Sequence, residues 1–195
     1  MLDQKLLSIY LNDHLAGSTV GVELAKRSRS SNRGTPYGEF LEWLVQQITE
    51  DRRSLIGLMS RLGVRRDPLK EAAGWGLEKA GRLKLNGRLT GYSPLSRMVE
   101  LEGLWTGVNG KLSLWRALAA VADEDPRLDA LWLIELQARA DEQLRRIDKH
   151  RNAAARDAFA RSQRSDVSPG PAPGSSSSAS GSATTSVESS SSASP

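Results

Sequence analysis

The sequence predicts an all-α fold, an antiparallel bundle of four long helices with a short helical connector between the second and third and a disordered C-terminal tail. Three observations carry this. Apolar residues recur with the 3.6-residue helical period over four long stretches. Three helix starts pair a capping side chain with proline, at Thr35-Pro36, Ser93-Pro94 and Asp125-Pro126, and Asp67-Pro68 repeats the signal in the connector. The cap satisfies an orphan N–H, and proline at the first helical position gives up an N–H that would have had no partner. No segment alternates with period two over the length of a strand.

Taken in order, the first helix covers about Leu2–Arg27, with Leu7, Tyr10, Leu11, His14, Gly17/Ser18, Gly21 and Leu24 on one stripe. The run Ser28-Arg29-Ser30-Ser31-Asn32-Arg33-Gly34 reads as a loop. The second helix opens on Thr35-Pro36, carries Phe40, Leu41, Leu44, Ile48, Asp51, Leu55, Leu58 and Leu62, and stops at Gly63. The connector, Val64–Ser93, holds a short helix supported by Leu69, Ala73, Leu77 and Ala80. The third helix starts at Ser93-Pro94 and runs through Leu95, Met98, Glu102, Trp105, Val108, Leu112, Trp115 and Ala119. The fourth starts at Asp125-Pro126, with Leu128, Leu131, Glu135, Ala138 and Glu142 on one stripe and Leu133, Leu136, Ala140, Leu144 and Ile147 beside it.

Two domains are expected, a helical bundle over 1–162 and a Ser-rich tail over 163–195. In the tail, 14 of the 31 residues from Ser165 are serine, too little apolar surface to offset chain entropy. The chain has no cysteine, which excludes disulfides, zinc-thiolate sites, iron–sulfur clusters and thiol nucleophiles. Its first residues lack the pattern of a signal peptide, and no apolar run approaches the roughly 18 residues needed to span a bilayer. A cytoplasmic protein without a membrane span is expected. Five tryptophans, Trp43, Trp75, Trp105, Trp115 and Trp132, read as core and interhelix packing.

The net charge of +4 is unevenly spread, with nine basic residues against three acidic ones between Arg61 and Arg97, and a second cluster at Lys26, Arg27, Arg29 and Arg33. Basic patches attract anionic partners. Aromatics are scarce and not interleaved with the basic residues, so a solvated face is expected and nucleic acid is not.

Each apolar stripe is interrupted by an ionisable residue: His14, Asp51, Glu102, and either Glu135 or Glu142. A buried ionisable group is costly unless it is paired, hydrogen-bonded or metal-bound. At about 1.5 Å per residue, His14 and Asp51 lie at matched height across a short loop. If the connector returns the third helix to the end where the first begins, Glu102 and Glu142 join them and Glu135 lies two turns away. Ordinary pairings compete with a shared site. His14 could bond Asp51 across the helix interface, Asp51 could pair with Arg52 or Arg53, and Glu142 has Arg139, Arg145 and Arg146 at helical spacing.

With one such residue per helix, the chain resembles the ferritin-like superfamily of four-helix bundles over about Leu2–Ala160. That resemblance implies an inward set of carboxylate and histidine ligands, here His14, Asp51, Glu102 and Glu142, for iron or manganese. The family's Glu-x-x-His motif is missing: Glu50 and Asp51 are followed by Arg53 and Ser54, and Glu135 and Glu142 by Ala138 and Arg145. His150, flanked by Lys149 and Arg151, reads as exposed. The expectation is a non-catalytic ferritin-like bundle acting through protein–protein contact, with another protein or as a homodimer. Its alternative is a metal-binding bundle with a degenerate core site. Neither a Gly-rich phosphate loop nor a serine nucleophile elbow is present.

Overall fold

The computed structural model describes residues 2–68, 70 and 92–160. Among them the chain forms four long helices and no strand: α1 (Gln4–Ser31), α2 (Pro36–Arg61), α3 (Pro94–Ala119) and α4 (Ala130–Phe159), with a single 3-10 turn at Ala122–Glu124. The tail from 163, and the connector helix with Leu69, Ala73, Leu77, Ala80 and Trp75, lie outside the described residues. So does most of the basic stretch between Arg61 and Arg97.

The cap signals act as the chemistry requires. Thr35 accepts from the Gly38 N–H at 3.3 Å, and Ser93 from the Ser96 N–H at 3.1 Å, each with proline at the next position. Gly63 ends α2 at φ 70°, a conformation that disfavours any side chain, and the Val64 N–H closes back on the Met59 carbonyl at 2.9 Å. Asp67 accepts from the Lys70 N–H at 3.3 Å, so the connector also begins on its expected cap.

Two boundaries differ from expectation. Asp125-Pro126 does not start α4. Asp125 holds a turn, accepting from Arg127 through its backbone N–H and its guanidinium, and Asp129 caps the helix instead, accepting from the Trp132 N–H at 3.1 Å. Likewise the Ser-Arg-Ser-Ser run is not a loop but the last turn of α1. Asn32 draws it into the helix by donating from Nδ2 to the Ser28 carbonyl at 2.7 Å.

The same asparagine places α3. Its Nδ2 also donates to the Tyr92 hydroxyl at 2.6 Å, and its Oδ1 accepts from Arg97 Nε at 2.6 Å. Arg27 reaches Glu100 at 3.2 Å. The start of α3 therefore lies beside the end of α1, not beside its beginning, so the condition under which Glu102 and Glu142 would join His14 and Asp51 is not met. At the other end, Arg127, just ahead of α4, donates to the Leu62 carbonyl at 3.0 Å, and Arg61 lies 4.4 Å over the Trp132 ring. Helix α4 then finishes near the start of α2, where Tyr37 donates to Asp157 at 2.8 Å and Phe40 stacks on His150 at 3.9 Å. His150, expected on an exposed face, is half-buried because Phe40 covers it.

The core is leucine-rich. Leu11 and Leu15 of α1 and Leu41, Leu44 and Leu58 of α2 are fully buried, as are Leu101 and Trp115 of α3 and Leu133 of α4. Full burial of each such leucine is worth about 1.5–3 kcal/mol. Of the other tryptophans described, Trp43, Trp105 and Trp132 are half-buried under arginine guanidinium groups, which cover the ring faces from the solvent side.

Because Asn32 is buried and bridges two helices, Asn32→Ala should lower the unfolding free energy by roughly 1–3 kcal/mol, since it leaves Arg97 Nε without its acceptor and the Tyr92 hydroxyl with Glu100 alone. Urea denaturation followed by far-UV circular dichroism measures it; a midpoint equal to that of the parent chain would contradict the role assigned to Asn32.

Candidate functional site: a glycine-walled cavity over a buried ion cluster

The direction of α3 decides which residues meet Asp51. Its carboxylate is almost fully buried at 2% exposure, in the middle of α2. Lys111 of α3 and Arg139 of α4 both pair with it, the Arg139 Nε at 2.7 Å. Gln143 of α4 donates to it from Nε2 at 2.8 Å and accepts from Lys111 Nζ on its own Oε1 at 2.5 Å. Arg139 also reaches the Ser54 hydroxyl at 3.3 Å. Asp51, Lys111 and Gln143 stand on the inward stripes of their helices, and Arg139 reaches the carboxylate from the half-buried flank of α4. In α3 that stripe is Leu104, Val108, Lys111, Trp115 and Leu118; in α4 it is Leu133, Leu136, Ala140, Gln143 and Ile147.

The four residues expected to form a metal set are not brought together. Asp51 is engaged by Lys111, Arg139 and Gln143. Glu142 lies on the outer side of α4 and accepts from Arg145 at 2.6 Å and Arg146 at 2.7 Å, which hold its carboxyl below the usual range. Glu102 belongs to the first turns of α3, so it sits toward the end of α1, where its neighbour Gly103 faces Leu24. Glu135 is exposed. Among the described residues no three of His, Cys, Asp and Glu are placed to hold a metal ion. The expected His14–Asp51 bond is also absent. The half-buried His14 ring instead meets Tyr10 edge-on at 4.6 Å, and burial pushes its pKa down. The physical cause is the same throughout. With α3 entering from the opposite end, Lys111 rather than Glu102 comes level with Asp51, and a lysine satisfies a buried carboxylate without a metal.

His14 and Asp51 nevertheless share a wall. Between α1, α2 and α3 lies a cavity of about 410 Å³ lined chiefly by apolar side chains, among them Ile48, Leu55, Val108, Leu114 and Trp115. His14, Lys111 and the almost fully buried Asp51 all line it. Glycines make the space. Gly17 and Gly21 of α1 and Gly103, Gly107 and Gly110 of α3 all line it, at one-turn spacing. A methyl group added at Gly17, Gly21, Gly107 or Gly110 would meet nothing within 4 Å, so these four are not there for close helix packing; only at Gly103 would it touch a neighbour, Leu24 at 3.1 Å. Each helical glycine costs up to about 1 kcal/mol relative to alanine. The Trp115 indole N–H, buried in the same wall, has no hydrogen-bond partner.

The second basic cluster is largely neutralised. Lys26 pairs with Glu23 at 2.9 Å, Arg27 with Glu100 at 3.2 Å and Arg29 with Glu42 at 3.1 Å.

Removing the shared carboxylate leaves two cations facing each other in a buried site. Asp51→Ala should therefore cost about 3–5 kcal/mol of stability, read as a denaturant midpoint. Glu142→Gln, at a solvent-exposed pair, should leave that midpoint nearly in place. A second expectation concerns pH. His14 is held below its ordinary value of 6.5, so the unfolded chain binds the more protons and stability falls as pH drops through 6.5 toward the folded-state value. His14→Gln should flatten that part of the stability–pH curve; an unchanged slope would assign it to other groups.

No family model, no curated protein and no solved structure matches the chain. The functional reading therefore rests on the cavity and the cluster beneath it.

Proposed function

We propose that the chain is a non-catalytic helical bundle that holds a small, largely apolar molecule between α1, α2 and α3. The observation that carries this reading is the glycine-walled cavity, which no packing demand explains at Gly17, Gly21, Gly107 and Gly110. About 410 Å³ falls in the lower part of the range typical of small-molecule sites. The lining is apolar, with a few convergent polar groups from Asp51, Lys111 and His14, as such sites require. In this reading the helices form a ferritin-like antiparallel bundle with one long connector, its centre adapted to an organic ligand. Calorimetric titration with 1-decanol should show saturable binding. Gly107→Leu should weaken it about tenfold or more, the factor that 1.4 kcal/mol of lost contact gives. Heat no greater than dilution with the parent chain, for 1-decanol and for its charged-head analogues alike, would reject the cavity as a ligand site.

Protein–protein contact is a second reading, favoured by apolar side chains left in solvent near the beginnings of α1 and α4. Leu6 and Leu131 are 63% and 76% exposed, with Ile9 and Ile134 close to them in sequence. Isolated surface leucines are ordinary, but paired ones on a helix face suit a protein partner or a second copy of the chain. Light scattering of the parent chain against Leu131→Glu tests self-association: a monomer mass for both across the concentration range excludes the homodimer.

A further inference from the structure

The ion cluster beneath the cavity is short of one negative charge. Asp51 carries a single carboxylate, yet Lys111 and Arg139 both pair with it, and Gln143 adds a neutral amide. The other charges around the cavity do not make up the deficit. Asp13, at its rim, is engaged by Lys70 at 2.6 Å, and burial favours the neutral form of His14. A guanidinium cannot release its proton, so the surplus falls on Lys111, the member of the cluster that is a cation and also lines the cavity. Burial pushes the Lys111 ammonium down from its ordinary range and the Arg139 guanidinium pushes it the same way, against the pull of Asp51.

We propose, building on the cavity reading above, that the ligand is a monoanionic amphiphile whose apolar body fills the space between the glycines and whose charged head meets Lys111. Two features select that class. The charge deficit is one unit, which matches a monoanion and argues against a cation or a dianion. The remaining lining is mostly apolar and holds room for about a dozen water-sized groups, which suits a short alkyl or aromatic body attached to the head. The head enters a site where both a lysine and, behind Asp51, an arginine favour it. A hydrogen bond assisted by charge on both partners there is worth about ten- to a hundredfold in affinity.

Decanoate, 1-decanol and decylamine differ in the head and share the body, so titrating the full chain with each by calorimetry at pH 7 separates the two claims. Decanoate should bind about tenfold or more tightly than decanol. Lys111→Met and Arg139→Gln, which each remove the surplus charge, should bring that ratio to about one. Equal binding of decanoate and decanol by the parent chain, or tighter binding of decylamine, would overturn the anion preference while leaving the cavity reading intact. Failure of all three to bind would remove both. If Lys111→Met loses its helical circular dichroism signal, Arg139→Gln decides: a decanoate preference that survives there overturns the proposal.

Discussion

The buried carboxylate of Asp51 is the constraint around which the centre of the molecule is arranged. A charge removed from water must be met by groups that replace its hydration, or the helix that carries it will not fold inward. Three groups meet it, Lys111 from α3 and Arg139 and Gln143 from α4, so one side chain of α2 commits the other two helices to a register. Leucine contacts above and below would tolerate a small sliding of one helix past another, whereas the bonds at Asp51 would not. The cluster adds specificity to a core whose bulk stabilisation is hydrophobic.

The cavity follows from the same arrangement. Helices α1 and α3 present glycine to one another where α2 presents Asp51, and large side chains resume on either side at Leu11, Leu15 and Leu101. A bundle selected only for stability would place alanine or leucine at Gly17, Gly21, Gly107 and Gly110, since each open glycine weakens its helix and leaves apolar surface without contacts. Their presence beside a buried lysine and an indole N–H without a partner gives the region the character of a site and not of a packing fault.

The sequence was legible in some places and misleading in others for identifiable reasons. Thr35-Pro36, Ser93-Pro94 and Gly63 set boundaries through local bonds, and local bonds are written in adjacent residues. Asp125-Pro126 carries the same signal but forms a turn, because Arg127 captures the aspartate side chain before a helix can. The serine-rich end of α1 has weak helical propensity and is helical because Asn32 and its partners Tyr92 and Arg97 secure it from outside. The expectation that a polar residue interrupts each stripe identified Asp51 and missed the partners that meet it. Lys111 and Gln143 were legible in principle, as polar positions in the runs Leu104-Val108-Lys111-Trp115 and Leu136-Ala140-Gln143-Ile147. A search for metal-ligating residue types passed over them.

By itself, then, the sequence determined the helical content, the main caps and the inward stripe of α2, all properties of residues within a few positions of each other. The tertiary structure decided which end of the bundle α3 enters from, and hence whether Asp51 faces glutamate or lysine. That choice depends on contacts between residues some 60 positions apart, such as Asn32 with Tyr92 and Arg97, which no local pattern encodes. The identity of the cluster, the open space above it and its surplus positive charge all follow from that one choice.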